Sequence, residues 1–95
     1  MEHQKYIIRG DRSGVFYGEI AERNDRDVKI TNCRRLWYWD GAASLSQLAL
    51  EGVKAPDSCK FTVTVPQMQV MEVIEIIPCT EKAIDNIENV TVWKN

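Results

Sequence analysis

The chain has 95 residues, 44% of them hydrophobic and 27% charged, with a net charge of -2 and a pI near 5.3. That length holds one domain over residues 1–95, and the mild acidity excludes a general nucleic-acid binder, which carries a basic excess. Cys33, Cys59 and Cys79 form no CxxC pair and leave an odd thiol in any disulfide scheme, which predicts free thiols in a reducing compartment and excludes a four-ligand zinc site.

The first residues, Met1-Glu2-His3-Gln4-Lys5, lack the apolar run of a signal peptide. No apolar stretch reaches the ~20 residues of a membrane span, so a soluble, cytoplasmic protein without membrane contacts is expected. Tyr6-Ile7-Ile8-Arg9 reads as a short strand that stops at the turn formers Gly10-Asp11-Arg12-Ser13-Gly14. A second strand over 15–22 contains Gly18, a sign of a bulge or a close backbone approach. Asn24-Asp25-Arg26-Asp27 is the next turn, and Val28-Lys29-Ile30-Thr31 alternates strictly as a third strand that continues to Trp39. Short connections make these three an antiparallel meander.

Asp40-Gly41 ends the third strand. Ser44 is an N-cap, Leu45, Leu48 and Ala49 share one face, and Gly52 suits a helix C-terminus, which predicts a helix over 44–51. A loop over 53–58 leads to a β-branched strand at 61–65, ended by Pro66, and then to a largely buried strand at 70–77. Thr80 caps a second helix running to about Ile87, and 90–93 closes the chain as a last strand. The fold class is α+β: a mainly antiparallel, small barrel-like or half-closed sheet of about six strands with two short helices.

The chemistry-bearing stretch is Arg34-Arg35-Leu36-Trp37-Tyr38-Trp39, followed by Asp40-Gly41 and the helix start at Ser44. If Val28 and Ile30 face the core, strict alternation sends Arg34, Leu36 and Tyr38 inward and Arg35, Trp37 and Trp39 outward. A bulge near Asn32-Cys33 would reverse that parity, bury both tryptophans and leave Leu36 and Tyr38 outside. Two readings stand side by side. One is a core tryptophan pair with snorkelling arginines. The other is an exposed stacking platform beside guanidinium groups. Ser44 and Ser46 could donate to a phosphate at the helix start, or Ser44 could simply cap its helix.

Catalysis has little support. His3 is the only histidine, and no Ser–His, Cys–His or paired-carboxylate spacing is present. No cofactor or metal is implied, so the chain reads as a non-enzyme.

The strings Arg34–Ala49, Glu51-Gly52-Val53-Lys54, Cys59-Lys60-Phe61, Glu72–Ala83 and Val92-Trp93-Lys94 resemble a family of small phage and prophage proteins of unknown function. The resemblance implies a viral origin and expression in the cytoplasm of an infected bacterium, and it carries no catalytic residues. Phage proteins of this size often disable host defence, some by holding nucleotide immune signals in oligomeric binding proteins.

The expected activity is therefore binding of a small anionic nucleotide, a cyclic dinucleotide or a cyclic ADP-ribose-like signal. Trp37, Tyr38 or Trp39 would stack on a base, Arg34 or Arg35 would pair with phosphate, Ser44 and Ser46 would donate, and Lys60 is a further candidate. The alternative is a protein-binding inhibitor that uses the same aromatic–arginine patch. Outward aromatics on a short chain also predict a homo-oligomer.

Overall fold

The computed structural model describes residues 4–93, so His3 lies outside the described part of the chain. The elements, in order, are strands β1 (Tyr6–Gly10), β2 (Gly14–Asn24) and β3 (Asp27–Tyr38), helix α1 (Leu45–Glu51), a single 3-10 turn (Pro56–Ser58), strands β4 (Lys60–Phe61), β5 (Val65–Val70) and β6 (Val73–Pro78), and helix α2 (Glu81–Glu88). All strand pairs are antiparallel and belong to one sheet of order β4-β3-β2-β1-β6, with β5 also paired to β3. The fold is α+β, and the sheet is half-closed rather than a barrel.

The curl comes from the last two strands. β5 lies on one border, against β3, and β6 on the other, against β1. Only Met71 and Glu72 separate them in the chain. The sequence reads 70–77 as one strand because no glycine or proline marks this break. Instead Glu72 takes a left-handed backbone, φ 56°. Three hydrogen bonds hold the corner: Val73 N–H to the Arg26 carbonyl at 2.8 Å, Asp11 N–H to the Glu72 carbonyl at 2.9 Å, and Glu72 N–H to the Asp27 carboxylate at 3.3 Å. They offset the roughly 1 kcal/mol that such a backbone costs a non-glycine residue.

Two other expectations change. The strand at 61–65 is a two-residue β4 followed later by β5, which runs through Pro66. Proline is tolerated there because β5 is bonded on one side only. The closing strand at 90–93 reduces to a single parallel bridge, Phe61 with Val92, plus a bond from Trp93 N–H to the Phe61 carbonyl at 2.9 Å.

Both helices form where their caps predict. The Ser44 hydroxyl accepts from Gln47 N–H at 3.2 Å and the Thr80 hydroxyl from Ala83 N–H at 3.1 Å. Asn86 joins the two helical segments, its amide bracketing the backbone N–H and carbonyl of Val53 at 2.8 and 2.9 Å.

Both faces of the sheet are buried, in different places. Ile7, Tyr17, Leu36 and Phe61 pack under the helices with Leu48, Ala83 and Ile87. Ile8, Phe16, Val28, Ile30, Cys33 and Val70 fill the curl on the opposite face. The bulge considered at Asn32-Cys33 exists: the pairing of β2 with β3 slips between Tyr17 and Glu19, and Asn32 adopts φ 46°. Gly18 sits opposite it, where a Cβ would stand 2.7 Å from the Cys33 Cβ and 3.0 Å from the Thr31 carbonyl.

The bulge does not bury the tryptophans. Before it, β3 buries its curl-side residues; after it, Arg34 and Leu36 are buried on the helix side, and Trp37 lies 63% exposed. The expected burial assumed one core, whereas the chain passes from one to the other.

Candidate functional site

Trp39 follows the end of β3 and is half-buried against the helix-side core, near Val15, Ala42 and Leu45. It lines two hollows. The larger, an open cleft of about 680 Å³, is walled by Trp39 and the α1 start at Ser44, Leu45 and Ser46. Arg9 of β1, Asp11 and Arg12 of the β1–β2 connection, and Glu75 of β6 complete its lining. The smaller hollow, about 260 Å³, lies between Trp37, Trp39 and Arg35. Gly14 and Val15 line both.

The cleft is electrically mixed. Arg9 stands opposite Glu75 across the β1–β6 pair, and Asp11 and Arg12 are chain neighbours, so two arginines and two acidic residues share one lining. Such a lining can bind a phosphate through the arginines and hydroxyl groups through the carboxylates, beside an indole face.

Of the residues singled out from the sequence, Trp39, Ser44 and Ser46 line the cleft, and Arg35, Trp37 and Trp39 line the smaller hollow. Ser44 is occupied as a cap, so its hydroxyl is engaged with Gln47. Tyr38 and Lys60 are brought to a different surface: they are cross-strand partners in β3 and β4, and the Lys60 ammonium sits 5.4 Å over the Trp93 ring.

Arg34 lies in the interior, 4% exposed. Its guanidinium donates to the carbonyls of Thr62 (2.9 Å), Ile87 (3.0 Å), Val90 (3.1 Å) and Phe61 (3.2 Å). Burial lowers its pKa, a tendency opposed by the nearby Tyr17 and Glu88. Arg34 therefore serves the fold, and the phosphate role considered for it does not match its position.

Sequence reasoning missed Arg9, Asp11, Arg12 and Glu75. The Gly10–Gly14 stretch carries a turn signal that says nothing about what the turn faces. Glu75 reaches the cleft only through a long-range strand pairing.

A second polar cluster has no local signal in the sequence either. Under the C-terminal end of α2, the Lys5 ammonium and the Tyr17 hydroxyl both donate to the Glu88 carboxylate, at 2.8 and 2.7 Å. Lys5 also lies 3.6 Å from Glu19. Burial, followed by the bond to Glu88, pushes the Tyr17 hydroxyl pKa up. Burial works upward on Glu19 as well, but bonds from Asn32 and Thr31 and the Lys5 ammonium hold its carboxyl below the usual value. A tyrosine kept protonated and a lysine tied to carboxylates pin α2 to the sheet. Among the described residues, no three His, Cys, Asp or Glu side chains gather as a metal ion would need.

Fold and cleft together define a single-sheet α+β domain with an open, arginine- and tryptophan-walled cleft at one margin. The chain belongs to the family described as a domain of unknown function, DUF6948, whose model matches residues 3–87. Neither the curated proteins nor the solved structures contain a match. Among the described residues, no helix is long and apolar enough to cross a membrane.

Proposed function

We propose that this chain is a phage-encoded, non-enzymatic binding protein of the bacterial cytoplasm that sequesters a small nucleotide immune signal, a cyclic dinucleotide or a cyclic ADP-ribose-like molecule. The observation that supports the reading is Trp39, which lines one hollow with Arg9 and Arg12 and another with Arg35 and Trp37. A base can stack on the indole while its phosphate meets a guanidinium, and base–aromatic stacking contributes about 1–3 kcal/mol.

Calorimetry against cyclic dinucleotides and cyclic ADP-ribose isomers tests it. At least one member should bind and be recovered chemically intact. Trp39→Ala should weaken that binding about 10- to 100-fold. No heat with any member would remove the reading, and turnover of the ligand would make the protein an enzyme.

Assembly of several copies belongs to the same proposal. Trp37, Tyr38 and Trp93 leave a large aromatic area open on one chain, at 63%, 51% and 39% exposure. Light scattering at micromolar concentration should give a mass of two or more protomers, and a clean monomer mass would contradict it.

The exposed Trp37 and Tyr38 also favour a second reading, an inhibitor that covers a host protein, because tryptophan, tyrosine and arginine dominate interface hot spots. A stoichiometric complex with one host protein, with no heat from any nucleotide, would select it.

A further inference from the structure

Arg35 lines the smaller hollow, yet its side chain is already committed. Its guanidinium donates to the carbonyl of Ser13 and lies 4.6 Å from the centre of the Phe16 ring. Phe16 is fully buried in the curl-side core. The backbone at Arg35 is equally fixed: its N–H donates to the Thr62 hydroxyl, and its carbonyl accepts from Thr62 N–H, both at 3.0 Å. A rigid base and a stacked planar fork thus reach across β2 to the connection over residues 11–13. That connection carries Asp11 and Arg12 into the larger cleft. On the neighbouring side, Gly14 adopts φ 107° with Arg35 beside it, leaving no side chain between the fork and the turn.

We infer that Arg35 is a positioning residue: it holds the β1–β2 turn from the smaller hollow and so aims Arg12 and Asp11 into the larger one. The two hollows are then mechanically coupled, with Arg12 as the residue that meets the anion. A lysine would keep the charge but lose both the fork and the flat stacking surface. The effect of this role on ligand binding rests on the nucleotide reading; the holding itself does not.

Hydrogen exchange on the unliganded full chain tests the holding directly. In Arg35→Gln and Arg35→Lys, amides of residues 11–14 should exchange roughly tenfold faster or more, as expected for loss of a charge-assisted bond, while α2 exchanges as in the unaltered protein. The lysine variant serves if the glutamine variant does not fold.

A double-mutant cycle with AMP, read by tryptophan quenching, tests the consequence. Arg12→Gln and Arg35→Gln should each weaken AMP about tenfold, and the double variant also about tenfold rather than about a hundredfold, because both changes remove one function. Unchanged exchange at 11–14 in both variants, or fully additive losses of AMP affinity, would overturn the inference. Faster exchange together with no binding of AMP, of any cyclic dinucleotide or of any cyclic ADP-ribose isomer by the unaltered protein would uphold the holding role and count against the nucleotide reading.

Discussion

An Arg34→Met chain should lose about 4 kcal/mol of stability. Methionine replaces much of the volume but none of the donors. The Thr62 and Val90 carbonyls then lose this donor, at about 1–3 kcal/mol for each group left unsatisfied, while those of Phe61 and Ile87 keep the Trp93 and Val90 N–H groups. The guanidinium also stacks 5.5 Å from the Phe61 ring centre, and methionine cannot reproduce that cation–ring attraction. Native stability totals only about 5–15 kcal/mol, so the loss is a large share.

The effect is large because one guanidinium on β3 ties together the end of α2, the turn after it, and the short β4. Urea unfolding followed by tryptophan fluorescence measures the change. Arg34→Lys should recover only part of it, since an ammonium cannot span four acceptors arranged around a planar fork. A loss below about 1 kcal/mol in the methionine variant would show that these carbonyls find other partners.

The protein should also be unusually sensitive to alkali. Burial pushes the Cys79 thiol from 9.0 up to about 12, and burial raises Cys33 and Cys59 in the same direction. In the unfolded chain these thiols ionise from about pH 8.5. Above that pH the native state holds protons that the unfolded state has released, so stability falls as pH rises. Below it, the contribution is intact.

Cys79 alone forfeits about 3 kcal/mol by about pH 10.5, and Cys33 and Cys59 add to the slope. The raised Tyr17 hydroxyl acts with the same sign above about pH 10. Melting temperatures at about pH 7 and about pH 10.5 should therefore diverge by several degrees. Cys79→Ser should flatten the dependence while lowering stability at neutral pH. Equal melting temperatures at both values would mean the thiols are not held from solvent as described.

How much of this is legible in the sequence depends on distance along the chain. The two helices are readable because their signals are local: Ser44 and Thr80 cap within three residues, and Gly52 ends the first helix. The β1–β3 meander is readable for the same reason, and Gly18 marks the bulge.

Arg34 is left between two readings by the sequence because its acceptors lie 27 to 56 residues away; a surface cation and a buried clamp look alike as one letter. The cleft is half visible. Trp39 and the α1 start lie within one short connection, whereas Arg9 and Glu75 meet them only after β1 and β6 have paired. Trp37 is ambiguous because parity along β3 has meaning only once the buried face is known, and that face changes at Asn32.

The two-residue corner at Met71-Glu72 has a kinetic consequence. β5 and β6 are consecutive in the chain, yet each must dock on a strand at a different border of the sheet. Neither docking edge exists until the hairpins of β1, β2 and β3 are in place. Loop closure over such spans is slow compared with hairpin formation. The meander should therefore form first, and the slowest step should be the docking of β5 and β6 on its two borders.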